Sequence, residues 1–142
     1  MFIGRHESSL DQKGRLHLPA KIRDILTRDS SEPLIVTVSS RCLVGWPKER
    51  WRARVEAEEA KEYSPERGDM LRAVTEHAAE CPLKNGRVLI PAWLREYAGI
   101  GREAVIIGRN RFFEIWSKGR HAELAAGYDY AKLSEQLRKL GF

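Results

Sequence analysis

Two short segments with the alternation of a β-strand lie half a chain apart and dominate the hydrophobic pattern of this sequence. Residues 14–19 and residues 86–91 both open with Gly-Arg, continue with apolar or alternating residues, and close with Pro. The two copies are 72 positions apart in a chain of 142 residues. Because side chains of a strand alternate between two faces, each segment is predicted to be a half-buried strand that begins at a glycine turn.

The same order of elements follows each segment. Apolar positions three or four apart predict short helices at residues 20–26 and 92–98, each preceded by a proline that suits the first helical turn. Runs rich in β-branched and aromatic residues predict the remaining strands of the two units, at residues 34–38 and 42–46 in the first and 104–107 and 111–118 in the second. A match in type and order over about forty residues indicates an internal duplication. We expect the two units to interleave into one barrel with a pseudo-two-fold axis, which leaves fewer exposed strand edges.

Shorter signals complete the two units. Residues 2–4 are a possible short strand before the first turn, residues 30–33 read as a loop, and Gly99 is expected to end the second short helix.

A charge-rich helical connector is predicted between the units. Residues 47–63 carry opposite charges at helical spacing, and we expect the pairs Arg52–Glu56 and Arg54–Glu58. Ser64 followed by proline should cap the next helix. Its apolar face is expected to contain Leu71, Val74, Ala78 and Cys81.

The tail is predicted to be an amphipathic helix over residues 129–140. Its apolar stripe contains Tyr130, Leu133, Leu137 and Leu140. Packing against the rest of the chain is the favoured interpretation of this stripe, and a partner-binding face is the alternative.

Length and composition predict one α+β domain over residues 1–142. We divide it into a first repeat (1–50), a helical connector (51–80), a second repeat (81–121) and a C-terminal helix (122–142). No apolar run reaches the roughly 18 residues of a membrane span, and the N-terminus lacks a signal peptide, so a cytoplasmic location is expected. The net charge of +5 favours a polyanionic partner such as nucleic acid.

The sequence offers little for catalysis. It contains no G-x-S-x-G elbow, phosphate loop or H-E-x-x-H motif, and its four histidines are scattered. His17 and His121 are expected to be solvated or near a phosphate, and Asp24 and Glu96 to be solvated carboxylates. Cys42 and Cys81 are expected to be buried free thiols rather than metal ligands. We therefore expect no enzyme activity, metal, cofactor or small-molecule substrate.

The Gly-Arg turns favour DNA binding. Glycine permits the positive φ of a tight turn, and the arginine that follows can bind a phosphate or the edge of guanine with two hydrogen bonds. The alternative is that Arg15 and Arg87 pair with carboxylates inside the fold. Basic residues near the two turns that could contact phosphates are Lys13, Lys21, Arg5, Arg23, Lys84 and Arg95.

Several of these features together resemble the MraZ family, the bacterial transcriptional regulators associated with the division and cell-wall gene cluster. They are Met1-Phe2-Ile3-Gly4, the segment from Leu10 to Pro19, Glu76-His77-Ala78-Ala79-Glu80, Gly86-Arg87-Val88-Leu89-Ile90-Pro91, and the paired Trp46 and Trp116. The resemblance runs from residue 1 to about residue 121 with matching order and spacing.

This resemblance implies an AbrB-like β-barrel of the double-psi or swapped-hairpin type, formed by two tandem repeats with peripheral helices. It implies ring-shaped homo-oligomers that bind direct repeats in double-stranded promoter DNA, in the cytoplasm at the nucleoid. It also implies an Asp-x-x-x-Arg motif in each half: Asp11 to Arg15 is intact, whereas Leu83 stands four positions before Arg87. The expected DNA-binding residues are Arg15, Lys13, Asp11, Gly14, Arg87, Gly86, Lys84 and Arg5.

Two other functions remain open from the sequence. One is an oligomeric protein–protein scaffold that assembles through the C-terminal helix. The other is an antitoxin-like module of the same barrel class, although such modules usually have a single repeat and a long disordered tail.

Overall fold

The computed structural model describes residues 1–29 and 33–142, which form an α+β fold with antiparallel sheets. The strands are β1 (Arg5–Ser9), β2 (Arg15–His17), β3 (Leu34–Val38), β4 (Leu43–Pro47), β5 (Ala79–Cys81), β6 (Leu83–Lys84), β7 (Arg87–Leu89), β8 (Glu103–Gly108) and β9 (Phe113–Ser117). The helices are α1 (Ala20–Asp29), α2 (Lys48–Glu59), α3 (Pro65–Glu76), α4 (Ala92–Ala98), α5 (Lys118–Ala126) and α6 (Tyr130–Lys139). The predicted helices at 20–26 and 92–98 are confirmed, as are the four strands predicted after them, with boundary shifts of a few residues. Of the predicted loop at 30–33, residues 30–32 lie outside the described residues.

The larger sheet interleaves the two halves of the chain. Its six strands lie in the order β1-β8-β9-β4-β3-β5, with β1 and β5 at its edges. The first strand of each half therefore pairs with the strand that follows the short helix of the other half: β1 with β8, and β5 with β3. At the centre, β4 and β9 join the halves to each other, with Leu43 opposite Ile115. Neither half forms its own complete sheet.

The smaller sheet carries the Gly-Arg turns on one side of the core. It has the order β2-β7-β6, and Leu16 on β2 lies opposite Val88 on β7. Both side chains are fully buried in a cluster that also contains Ile106 and Ile115 of the larger sheet. Alternation in β2 and β7 directs the residues on either side of Leu16 and Val88 outward, as the sequence predicted. The turns are thus held on a packed platform.

Three sequence predictions about local structure are wrong. Residues 2–4 do not form a strand, since only Phe2 makes an isolated bridge, to Asn110, and β1 begins at Arg5. The helix after Ser64 ends at Glu76, so Ala78 lies outside it and Cys81 belongs to β5. Arg52 pairs with Glu49 in the preceding turn rather than with Glu56.

Other details of the connector are confirmed. Ser64 accepts the N–H of Arg67 at 3.1 Å and caps α3. Glu58 forms an ion pair with Arg54, as expected, and also with Lys61 and Arg67. Because Arg67 is on α3, this carboxylate links the two connector helices.

The C-terminal helix α6 is exposed, so the prediction that its apolar stripe packs against the rest of the chain is wrong. It begins at Tyr130 after Asp129, whose side chain accepts the N–H groups of Ala131 and Lys132. All its side chains are exposed to solvent, and Leu140 is 74% exposed. The predicted helix is present, but within the described residues its apolar stripe covers nothing and is not covered.

Both cysteines are buried free thiols, as predicted. Burial raises the pKa of Cys42 to about 12 and that of Cys81 to about 11, so neither is a reactive thiolate near neutral pH. His121 is buried on α5, which corrects the expectation that it is solvated. In the described part of the chain, no helix is both long enough and apolar enough to cross a membrane.

Candidate nucleic-acid interface

The first turn is fixed by the carboxylate of Asp11. Its Oδ1 accepts the N–H groups of Lys13 and Arg15, each at 3.0 Å, and its Oδ2 accepts Nε of Arg15 at 2.6 Å. The N–H of Gly14 donates to the carbonyl of Asp11 at 3.0 Å and closes the turn. The N–H of Arg15, with help from its guanidinium and from the N–H of Lys13, holds the pKa of Asp11 below its ordinary value of 3.8. Asp11 is thus an ionised anchor for Arg15.

Arg15 makes the carboxylate pair that was one alternative from the sequence, and DNA binding, the other alternative, stays a prediction. Its Nε is paired with a carboxylate, yet its side chain remains 43% exposed. The pairing leaves its terminal Nη1 and Nη2 groups at the surface, where they can bind a ligand. Lys13 lies beside it at the exposed tip of the turn.

Gly14 lies under the guanidinium of Arg95 from α4. It has φ of +87°, and a Cβ at this position would be 2.6 Å from Cζ of Arg95. Arg95 is itself held by a 3.0 Å bond from its Nε to the carbonyl of Ile90, while the N–H of Ile90 donates to the carbonyl of Gly14. Glycine is therefore required here for both its backbone conformation and the close approach of Arg95.

The second turn is one residue shorter than the first. Asn85 and Gly86 both have positive φ, at 51° and 73°, which is the two-residue turn typical of a tight hairpin. Lys84 lies opposite Arg87 and Leu83 lies opposite Val88. In the first turn the corresponding closing pair is Asp11 and Arg15, joined by the N–H of Asp11 and the carbonyl of Arg15 at 3.0 Å.

This difference changes how the two copies are matched. At the constant spacing of 72, Leu83 stands where the first copy has Asp11. In the structure Leu83 occupies the place of Leu10, which bridges to Leu16, and packs against the same core cluster. Lys84 is therefore the counterpart of Asp11. The second turn has lost one residue and has a cation where the first has its carboxylate.

Arg87 has no carboxylate in its own turn and instead lies near the carboxylate of the first turn. Its Nη1 lies 3.8 Å from Oδ2 of Asp11, the oxygen that also binds Arg15. The backbones of the turns are also joined crosswise, since Leu18 N–H donates to the carbonyl of Gly86 just as Ile90 N–H donates to that of Gly14, both at 3.0 Å. The structure thus brings both candidate arginines to one carboxylate.

A cleft of about 660 Å³ opens between the first turn and the start of β8. The described residues that line it are Ser9, Leu10, Asp11, Gln12, Arg15, His17, Arg87, Arg95, Gly101 and Arg102. Four arginines thus line a cavity whose described lining contains one carboxylate, that of Asp11. This excess of positive charge suits an anionic ligand.

The cleft includes His17, which the sequence predicts to be solvated or near a phosphate, and Arg102, which the sequence did not propose as a contact. His17 is exposed on β2, opposite Arg87. Arg102 reaches the site because its carbonyl accepts the N–H of Leu10 at 2.7 Å, next to the pairing of β1 with β8. The signal for Arg102 was the expected interleaving of the two units. It places the start of β8 beside the end of β1.

The remaining basic candidates lie outside the cleft lining. Arg5 is at the other end of β1 from Ser9, a separation of about 13 Å along the strand. Lys84 is exposed on the second turn, and Lys21 is exposed on α1. Arg23 packs on Gly86, where a Cβ would be 2.9 Å from its Nη1, and its Nε is buried without a hydrogen-bond partner in residues 1–29 and 33–142.

Comparison with known proteins gives a consistent result along the chain. Residues 1–72 and 75–139 match the family described as "MraZ protein, putative antitoxin-like". The protein named transcriptional regulator MraZ from Roseiflexus castenholzii is 39% identical over 132 residues, which cover 91% of this chain and 90% of that protein. Proteins of the same name from Lactiplantibacillus plantarum (37% identical; 91% and 94% covered) and Desulfitobacterium hafniense (36% identical; 99% of both covered) are also similar.

Proposed function

The chain belongs to the MraZ family, and from this premise we propose that it is a sequence-specific DNA-binding transcriptional regulator. Its named relatives are transcriptional regulators, and its proposed role is binding rather than catalysis. The corresponding location is the cytoplasm, at the nucleoid. The proposed partner is double-stranded promoter DNA of the division and cell-wall gene cluster, bound at direct repeats.

The observation that carries this proposal is the convergence of Arg15 and Arg87 on Asp11 at the edge of a basic cleft. Asp11 accepts the Nε–H of Arg15 and orients the guanidinium plane, and within the described residues no hydrogen bond occupies Nη1 or Nη2. Two parallel N–H donors fit the two acceptors on the major-groove edge of guanine. An arginine held in one orientation loses less side-chain freedom on binding than a solvated one. Lys13, Gly14 and Gly86 complete the proposed contact surface, with Lys84 and Arg5 at its margins.

We infer that the two sheets together form the swapped-hairpin barrel of the AbrB type. The crosswise pairing of β1 with β8 and of β5 with β3 supports this arrangement, because each half supplies a strand to the other. The crosswise bonds between the turns support the same pseudo-two-fold relation. The division into repeats at 1–50 and 81–121, a connector at 51–80 and a C-terminal segment at 122–142 is part of this inference.

We further propose that the chain acts as a ring-shaped homo-oligomer. One protomer presents few basic contacts, so affinity for DNA would come from several subunits on successive repeats, which gain avidity through linkage. The uncovered apolar stripe of α6 is one surface through which copies could associate.

The test is selection of bound duplexes from a random DNA pool, followed by titration of the selected duplex. We expect a motif repeated at fixed spacing, and we expect Arg15→Ala to abolish specific binding while the mass of the oligomer stays unchanged. Arg72→Ala is the matched control, because Arg72 is an exposed arginine paired with Asp69 on α3. If Arg15→Ala and Arg72→Ala bound the selected duplex equally, the assigned surface would be wrong.

A protein–protein scaffold is the second candidate function, favoured by the exposed stripe of α6. Deleting residues 129–142 and measuring the mass in solution separates the two roles. If the shortened protein no longer assembles but each protomer still binds DNA, the tail is the part that assembles and the barrel is the part that binds DNA. The antitoxin-like alternative, which the family description mentions, would add a protein partner, but the duplication within the chain is unlike single-repeat antitoxin modules.

A further inference from the structure

Arg95 and Arg102 line the basic cleft and belong to the second half of the chain, yet they lie beside the first turn. We propose that these two arginines form a phosphate-binding seat, so that each protomer binds the DNA backbone beside the first turn and not beside the second turn. This inference rests on the proposed DNA binding and adds which side of the pseudo-symmetric surface holds the backbone.

Arg95 is positioned for this role by two contacts. Its Nε is fixed by the carbonyl of Ile90 at 3.0 Å, and the plane of its guanidinium lies against Gly14. Neither contact involves a carboxylate, so the side chain keeps its full positive charge uncompensated. The side chain is half-buried, and Arg95 is one of the residues that line the cleft. A guanidinium with one anchored nitrogen and free terminal donors is suited to bind a phosphate oxygen pair.

Arg102 supplies the second positive charge. It is exposed, lines the same cleft, and makes no ion pair within the described residues. Its backbone is fixed, because its carbonyl accepts the N–H of Leu10 at 2.7 Å at the base of the first turn. The seat therefore combines one anchored and one exposed arginine, both attached to the platform that carries Arg15.

The equivalent arginine on the other side differs. Arg23 stands 72 positions before Arg95 and packs on Gly86 as Arg95 packs on Gly14. However, among the described residues it does not line the cleft, and its Nε has no hydrogen-bond partner there. Arg23 is thus a matched control within the chain, with the same residue type, helix position and glycine contact but without the cleft.

The test measures how binding to a duplex of unselected sequence depends on salt. Each neutralised phosphate contributes about 0.9 to the slope of log K against log salt concentration. We expect Arg95→Ala and Arg102→Ala each to reduce the slope by about one per bound protomer, Arg95→Lys to retain it, and Arg23→Ala to leave it unchanged. Arg102→Ala removes an exposed side chain and therefore remains informative if Arg95→Ala does not fold.

Two results would overturn the seat. One is an unchanged slope in Arg102→Ala and in folded Arg95→Ala. The other is an equal loss of slope in Arg23→Ala and Arg95→Ala, which would mean that both arginines act through turn stability. Failure of the proposed function is separate: the wild type would then select no sequence, and Arg15→Ala would bind like the wild type. Selection by the wild type together with an unchanged slope in the Arg95 and Arg102 variants would disprove the seat alone.

Discussion

The two Gly-Arg turns are the same motif built in two ways. The first has a three-residue loop, from Gln12 to Gly14, and a carboxylate that binds two backbone N–H groups and a guanidinium. The second has a two-residue loop, Asn85 and Gly86, whose shape comes from two residues with positive φ. One turn is held by side-chain chemistry and the other by backbone conformation alone. Lys84 occupies the position of the carboxylate in the second turn, and the second arginine lies near the carboxylate of the first.

The largest effect that we predict comes from Leu83→Asp. If Lys84 is the counterpart of Asp11, this substitution puts a charge on a half-buried side chain that packs against the core, and it should lower the free energy of unfolding by about 2 kcal/mol. Urea unfolding measures the change. Leu83→Asn is the control for volume and polarity without charge. A stabilised Leu83→Asp variant would mean that the match at constant spacing is correct and the register of β6 is not.

The next effect distinguishes the two glycines. Gly14→Ala should lower the free energy of unfolding by about 1–2 kcal/mol, because alanine is strained at φ of +87° and its Cβ displaces the anchored guanidinium of Arg95. Gly86→Ala has a similar backbone cost, but its Cβ meets the free end of Arg23, which can move. We therefore expect Gly14→Ala to cost more in thermal and urea unfolding. Equal costs would contradict the anchoring of Arg95.

Asp11→Asn tests the carboxylate that only the first turn has. The pKa of Asp11 is lower in the folded than in the unfolded chain, so its contribution to stability is fully present above the unfolded value of 3.8 and is lost as pH falls through the lowered folded value. Thermal unfolding should show the wild type more stable than Asp11→Asn by a constant margin at neutral pH. That margin should shrink below pH 3.8. A margin that did not depend on pH would show that charge is not involved.

The smallest effect comes from giving the second turn its own carboxylate. Lys84→Asp replaces a like-charge neighbour of Arg87 by an opposite charge, and should raise the free energy of unfolding by about 0.5 kcal/mol. Lys84→Asn separates removal of the cation from addition of the anion. Nitrogen NMR of the arginine side chains would show whether Arg87 leaves Asp11 for the new partner. A loss of stability in Lys84→Asp would mean that Lys84 does not face Arg87.

The sequence was sufficient for features that depend on local pattern. The strand at Leu34–Val38, the cap at Ser64 and the end of α4 at Gly99, whose φ is +66°, follow from residue types within a few positions. The duplication also predicted correctly that the two halves interleave. The strand, the cap and the helix end need no information from distant residues.

The sequence predictions fail where contacts between distant residues determine the local structure. Ala78 and Cys81 continue the helical spacing of α3, yet Cys81 pairs with Leu34 in the sheet, and the loss of helix at Glu76 is the consequence. The second turn is one residue shorter than the first, but the two Gly-Arg pairs still lie 72 residues apart. The difference appears instead before the turn, where Leu83 matches Leu10 rather than Asp11. A comparison at a constant spacing of 72 residues could not detect this shift. The stripe of α6 has the same spacing whether it is covered or exposed. Arg102 joins the site only through the pairing of β1 with β8.

The exchange of strands between the halves governs when this protein can fold during synthesis. His6 on β1 is paired with Ile106 on β8, one hundred residues later. At ~5–20 residues per second, the ribosome makes the partner of β1 roughly 5–20 s after β1 itself. The first half must therefore wait with unpaired strand edges, and the chain becomes stable as a single cooperative unit only after β8 and β9 emerge. Ribosome pausing while the connector is translated would lengthen the time for which the strands of the first half are unpaired. In a circular permutant that starts near residue 62, the second half would be made first and would wait about as long for the first half.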